Sequence, residues 1–268
     1  MRVASSAFET ALAAMLKRLE PLRSDRCAAS PCALALTLAC CWFVGCATRV
    51  PPNSSYSHSS DSLENPAMQP LPDNPSLPRV LLIGDSISIG YTLPVRQQLA
   101  RTANAQRIPE NGGPTTLGLA KLETWLGTNR WDVIHFNWGL HDLKRQPDGR
   151  PLVPVAEYEQ NLHSLVARLQ KTDAVLIWAT TTPVPPAVKG PARNPADVAL
   201  YNAAALRVMR AAGVRINDLY RFAERRLPRI QIPQNVHFTA EGSAQLAQPV
   251  VRTIRGALQD RRHRAVKE

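Results

Sequence analysis

The sequence predicts an α/β domain with a parallel sheet covered on both faces, and three observations carry that expectation. Short apolar runs alternate with segments of helical length and periodicity, the pattern of strands joined by crossover helices. The first run, Val-Leu-Leu-Ile at 80–83, is apolar throughout and stops at Gly84, as a strand buried on both sides does. The chain has 268 residues with 44% hydrophobic content, enough for one large domain plus an N-terminal appendage.

The appendage comes first. Between Arg26 and Cys46 runs Cys-Ala-Ala-Ser-Pro-Cys-Ala-Leu-Ala-Leu-Thr-Leu-Ala-Cys-Cys-Trp-Phe-Val-Gly-Cys, which is uncharged and follows Lys17, Arg18, Arg23 and Arg26. A basic segment followed by an apolar one reads as a signal sequence over residues 1–46, and translation starting at Met15 would shorten its unusual polar front. The span is marginal for a transmembrane helix, and Pro31 stands near its start. Its end, Phe43-Val44-Gly45-Cys46, resembles the lipobox of bacterial lipoproteins, with Phe43 in place of the usual Leu. That resemblance implies lipidation at Cys46, attachment to a lipid membrane through the N-terminus, and a place in the cell envelope facing the periplasm or exterior. An uncleaved signal anchor and an ordinary cleaved signal are the alternatives.

Residues 47–78 are expected to form a disordered tether. From Pro51 to Pro78 the chain holds seven Pro, seven Ser and three Asn, a composition that cannot bury enough apolar surface to offset its ordering entropy. The folded domain is expected over 79–260, with a basic tail at 261–268.

Within the domain, strands are expected at Arg79–Ile83, Val133–Trp138, Ala174–Ala179 and Val214–Asn217. Helices are expected near Leu93–Thr102, Thr116–Leu126, Val155–Leu169, Ala196–Ala211 and Thr239–Leu258. In open sheets of this kind ligands bind beyond the carboxyl ends of the strands, so the residues following each strand are the ones to inspect.

All five cysteines lie at or before Cys46, which excludes thiolate catalysis and thiolate metal sites from the domain. His135 and His141 lack the compact carboxylate spacing of a zinc site, and Gly84-Asp-Ser-Ile-Ser-Ile-Gly90 lacks the lysine and glycine pattern of a phosphate loop. No metal and no cofactor are expected. The net charge of +11 falls in the domain, where residues 79–268 carry 26 Lys/Arg against 15 Asp/Glu. Such a surface suits acidic partners, but the arginines are dispersed and no nucleic-acid motif accompanies them, so no nucleic acid is expected.

Three blocks carry the chemistry. Gly84-Asp85-Ser86 follows the first strand, where a serine can present its hydroxyl at the sheet's mouth beside free backbone N–H groups. A turn that merely caps the next helix would read the same way. After the 133–138 run stands His135-Phe-Asn137-Trp-Gly139-Leu-His141-Asp142, a density of polar side chains that serves either a site or a buried network. His237-Phe-Thr239-Ala-Glu-Gly242 precedes the last helix, with Thr239 as its N-cap, and histidine is the side chain best suited to general base work near neutral pH.

Taken together, Gly-Asp-Ser, a Gly-x-x-Asp motif and His-x-Thr-x-Glu-Gly resemble the ordered blocks of the SGNH (GDSL-type) hydrolases over roughly residues 79–258. The resemblance implies a flavodoxin-like α/β/α sandwich on a parallel five-stranded sheet, and hydrolysis of small esters. Ser86 matches the nucleophile and His237 the base. The oxyanion donors would come from the N–H groups of Ser86 and of Gly112 or Gly113, and from His141 or Asn137. His141 stands where the family has Asn, and Gln234 stands where it has the Asp three residues before the base. Gln234, Asp142, Asp218 or a backbone carbonyl would then orient His237. The expected function is a serine ester hydrolase, a carbohydrate O-acetylesterase or small acyl-ester esterase, working through an acyl-Ser86 intermediate on an acetylated glycan or small acyl ester. A catalytically weak binding module for envelope polysaccharide and an O-acyltransferase are the alternatives.

Overall fold

The computed structural model describes residues 65–265. The signal sequence, Cys46 and residues 47–64 of the expected tether lie outside the described residues.

Five strands form one all-parallel sheet in the order β2-β1-β3-β4-β5: β1 Arg79–Ile83, β2 Asn104–Arg107, β3 Val133–Phe136, β4 Val175–Ala179 and β5 Arg215–Asn217. Register is continuous through the middle, with Leu82 opposite His135 and His135 opposite Ile177. The helices are α1 Ser86–Leu99, α2 Thr115–Leu126, α3 Val155–Leu169, α4 Asp197–Ala211, the short α5 Leu219–Glu224 and α6 Leu227–Ile230, and α7 Ala240–Ala265. The architecture is the parallel α/β fold expected from the sequence. Val80, Leu82, Ile83, Val133, Ile134, Phe136, Ile177 and Trp178 have no exposed surface, which is why these strands read as apolar runs rather than alternating ones. The chain leaves β1 toward β2 on one side and returns to β3 on the other. The strand order therefore reverses between β1 and β3, and a crevice opens at their carboxyl ends.

Three local readings are corrected by tertiary contacts. Strand β2, Asn-Ala-Gln-Arg, carries no apolar run and was not expected as a strand; Gln106 and Arg107 are buried there because they bond to backbone. Gln106 Nε2 donates to Leu71 O at 2.6 Å and its Oε1 accepts from Leu71 N–H at 3.1 Å. Helix α1 begins at Ser86 rather than near Leu93, because Asp85 caps it, and it runs through Pro94. Residues 65–78 belong to the folded domain and not to a disordered tether. Arg96 donates to Pro66 O and Gln69 O at 3.1 and 2.9 Å, and Arg79 pairs with Asp73 at 2.7 Å, covering the exposed side of β2 as edge strands require. At the other end, 261–265 continues α7, and Arg261 of the expected tail bonds Asp132 Oδ1 at 3.0 Å.

Candidate active site

The turn after β1 is held by its own sequence. Asp85 is buried and extended, and its Oδ1 accepts the Ile87 N–H at 2.9 Å, so the helix starts one residue later at Ser86. Among the described residues the N–H of Ser86 meets no acceptor, as the first N–H groups of a helix do not. Gly84 O is gripped from the neighbouring strand by Arg107 Nη2 at 2.9 Å. Burial holds the Arg107 guanidinium down to about 10, with Tyr91 and Asp85 opposing that shift.

His237 arrives from the far end of the chain. Gln231 and Phe238 pair across a tight loop, which Gln231 Nε2 pins to Pro183 O at 2.9 Å. Thr239 caps α7 as expected, accepting the Gly242 N–H at 2.9 Å. Gly242 is required there, because a Cβ would stand 2.1 Å from Ile230 O.

The loop brings His237 Nε2 to 2.8 Å from Ser86 Oγ, and His237 Nδ1 to 2.7 Å from Asn235 Oδ1. The same Oδ1 accepts the His237 backbone N–H at 3.0 Å. An amide oxygen only accepts, so Nδ1 carries the ring proton and Nε2 offers its lone pair to the serine hydroxyl. That is the tautomer a general base needs. Burial lowers the His237 pKa below its usual value, the negative charge of Asp85 raises it and Arg193 lowers it further.

Asn235, and not Gln234 or Asp142, therefore orients the imidazole. Gln234 is exposed and takes a left-handed backbone at φ 56°, with its carbonyl accepting the Lys189 N–H at 2.7 Å; this turn carries the next side chain, Asn235, to the ring. Asp142 is fully buried and accepts from Thr115 N–H at 2.8 Å and Thr115 Oγ at 2.5 Å, tying the start of α2 to the loop after β3. Burial lifts its carboxyl to about 7 against the lowering by the Thr115 bonds, and Asp85 adds a smaller upward push. Asp218 caps α5 through the Arg221 N–H at 3.0 Å.

The oxyanion expectations divide in the same way. The Gly112 N–H donates to Gly84 O at 3.0 Å and the Gly113 N–H to Asn111 Oδ1 at 3.0 Å, so both are engaged within the protein. Asn137 Nδ2 donates to Ala179 O at 2.7 Å and lies 3.3 Å from Thr181 Oγ1, locking β3 to β4. Among the described residues, His141 is the side-chain candidate left with a free donor, beside the Ser86 N–H. Its Nδ1 lies 3.1 Å from Lys144 Nζ, and an ammonium can only donate, so the proton of the neutral ring sits on Nε2. The ring stays neutral at physiological pH, since its pKa is pushed down to about 4, first by burial and then by Lys144, Arg193 and His237, against a raising influence of Asp85. Gly139 makes the turn possible at φ 150°, where a Cβ would meet Thr181 Oγ1 at 2.1 Å. His135 belongs to the core, its Nε2 3.0 Å from Asn217 Nδ2.

Sequence reading missed Arg107, Lys144 and Arg193 around this site. Only Lys144 lay close in sequence to a block already singled out.

The model of the GDSL-like lipase/acylhydrolase family matches residues 82–245, spanning all three blocks. No curated protein sequence is significantly similar to the chain. Among solved structures, an acetyl xylan esterase, AlAXEase, superposes with a TM-score of 0.57 at 14% identity over 66% of this chain and 99% of its own. A lipase/acylhydrolase from Enterococcus faecalis gives 0.55 at 19% identity over 67% and 96%. The acetylxylan esterase Axe2 from Geobacillus stearothermophilus gives 0.53 at 20% identity over 65% and 93%. At these identities the likeness is one of fold.

Proposed function

Because the chain belongs to the GDSL-like lipase/acylhydrolase family and is an ester-bond hydrolase, we propose that it hydrolyses acetylated carbohydrates through an acyl-Ser86 intermediate. The observation that carries the mechanism is the relay Ser86 Oγ, His237 Nε2, His237 Nδ1, Asn235 Oδ1, with contacts of 2.8 and 2.7 Å. Ser86 Oγ attacks the ester carbonyl as its proton passes to His237 Nε2. The Ser86 N–H and the His141 Nε2–H donate to the oxygen that gains charge, where each such donor contributes about 10²–10³ in rate. His237 then returns the proton to the leaving alkoxide, and water activated by the same nitrogen cleaves the acyl-serine. The relay favours hydrolysis over a module that only binds. The acetyl xylan esterases among the structural neighbours make an acetylated sugar the first substrate to try.

The test is turnover of short p-nitrophenyl esters and acetylated sugars by the full-length chain, with a fluorophosphonate probe. Ser86→Ala should abolish turnover and labelling while leaving Tm nearly unchanged, because a half-exposed turn hydroxyl contributes little to stability. Labelling that survives the substitution moves the nucleophile elsewhere.

We also propose that lipid on Cys46 tethers the enzyme to a membrane surface, since Gly45-Cys46 closes the apolar segment. Two acyl chains anchor stably where one does not. Wild-type protein should incorporate labelled palmitate in bacterial cells and Cys46→Ala should not; soluble, unlabelled wild type rejects the anchor.

A further inference from the structure

The cations missed by sequence reading share an unusual setting. Arg193 Nε donates to Leu140 O at 2.9 Å and Nη1 to Pro191 O at 3.1 Å, which fixes the guanidinium plane against the loop that carries His141. Among the described residues Nη2 has no acceptor. Lys144 Nζ contacts His141 Nδ1 and, among the described residues, leaves two of its three donors unused. Neither residue forms a salt bridge among the described residues, whereas Arg79, Arg145 and Arg261, at similar exposure, each hold a carboxylate. Both lie in the field of His141, which also feels His237, and the loop carrying Arg193 is joined to the His237 loop by the Lys189 N–H to Gln234 O bond at 2.7 Å. The cations therefore stand in the electrostatic neighbourhood of His237, whose Nε2 meets Ser86.

Two half-buried like charges side by side are unfavourable unless something answers them, and burial together with mutual repulsion depresses the Lys144 pKa. Among the described residues, buried Asp85 is the one carboxylate that acts on both. With His141 and His237 neutral, the cations Arg107, Lys144 and Arg193 outnumber that carboxylate around the site.

We propose that Arg193 and Lys144 form an anion-binding subsite beside Ser86, which selects acylated sugars bearing a carboxylate or a sulfate half-ester. Arg193 Nη2 and the unused Lys144 protons supply charge-assisted hydrogen bonds to that group in a partly dehydrated place, where they are stronger than on an open surface. The domain's net positive charge adds long-range attraction for an acidic polymer. This inference rests on the esterase reading.

Three substrates that differ only at C6 test it: methyl galactopyranoside acetylated at O2, the corresponding galacturonoside, and the 6-sulfate of the first. At low salt wild type should favour at least one charged ester over the neutral one by roughly tenfold or more in kcat/KM, and about 0.5 M NaCl should erode that preference. Which charged ester wins separates carboxylate from sulfate. Arg193→Met should reduce the charged-to-neutral ratio to within about threefold of unity, and Arg193→Lys should retain part of it. Using the ratio cancels any general loss of activity in the variants. A ratio near one in wild type, or one that Arg193→Met leaves unchanged, overturns the subsite while leaving the esterase reading intact. Calorimetric binding of the same sugars to Ser86→Ala gives a readout without chemistry. Salt-sensitive preference for the charged sugar there, lost on adding Arg193→Met, supports the subsite even where wild type turns over none of them, in which case the esterase reading alone fails. Equal binding of charged and neutral sugars overturns the subsite.

Discussion

Replacing Asn235 by Asp isolates what a carboxylate contributes beyond orienting the base. In serine hydrolases with an acid partner, converting the acid to its amide costs ~10⁴ in rate, largely because the wrong imidazole tautomer results. That loss does not apply here. Asn235 Oδ1 accepts from both the backbone N–H and Nδ1 of His237, at 3.0 and 2.7 Å, so the amide oxygen faces the ring and the tautomer is already correct. What Asn235 lacks is negative charge to stabilise the imidazolium formed as Ser86 attacks. Unit charges about 4 Å apart interact by about 4 kcal/mol at an effective dielectric near 20. His237 is exposed and Asn235 only half-buried, so solvent screening reduces this to about 1–2 kcal/mol, or roughly five- to thirtyfold in kcat/KM. Asn235→Asp should therefore raise kcat/KM by that factor on p-nitrophenyl acetate and move the acid limb of the pH profile upward, because the new charge favours protonated His237. Asn235→Ala, which removes the acceptor, should cost about 10²–10³, and Gln234→Asp should do little because that side chain is exposed and does not hold the ring. A folded Asn235→Asp protein with unchanged or reduced turnover and an unmoved acid limb would refute the reasoning.

Two further outcomes follow from charge and burial. Activity requires neutral His237, whose pKa is lowered chiefly by burial, so kcat/KM should be level from pH 7 to 8 and fall only below the ordinary histidine value of 6.5; a limb at pH 7 or above contradicts the burial argument. The Asp142 carboxyl is raised from 3.8 to about 7 in the folded state, which therefore binds the extra proton between those values and loses stability as pH rises through that window. Asp142→Asn keeps an oxygen for the Thr115 bonds, so its Tm relative to wild type should be higher at pH 8 than at pH 4, and a difference independent of pH would show that the carboxyl ionises freely.

The sequence by itself determined the layered α/β class and pointed to the strand ends, with Ser86 and His237 as the candidate reacting pair that the fold brings to 2.8 Å. Those conclusions rest on local signals: buried strands are apolar throughout, the last helix announces its start with Thr239, and ligand sites follow strand ends. Tertiary structure alone decided who serves that pair. Gln234 and Asn235 are adjacent amides, and only the left-handed turn at Gln234 determines which one reaches the ring. Gly112, Gly113 and Asn137 were eligible oxyanion donors by residue type, yet their N–H groups are spent on Gly84 O, Asn111 Oδ1 and Ala179 O. Strand β2 and residues 65–78 read as polar and irregular because each supplies the hydrogen-bond partners the other needs, across about thirty positions of sequence. Arg193 shares the site with a histidine 52 residues before it, His141, for the same reason. Periodicity and capping act within a few residues along the chain, whereas hydrogen-bond partners and charge neighbours are assigned only when distant segments meet.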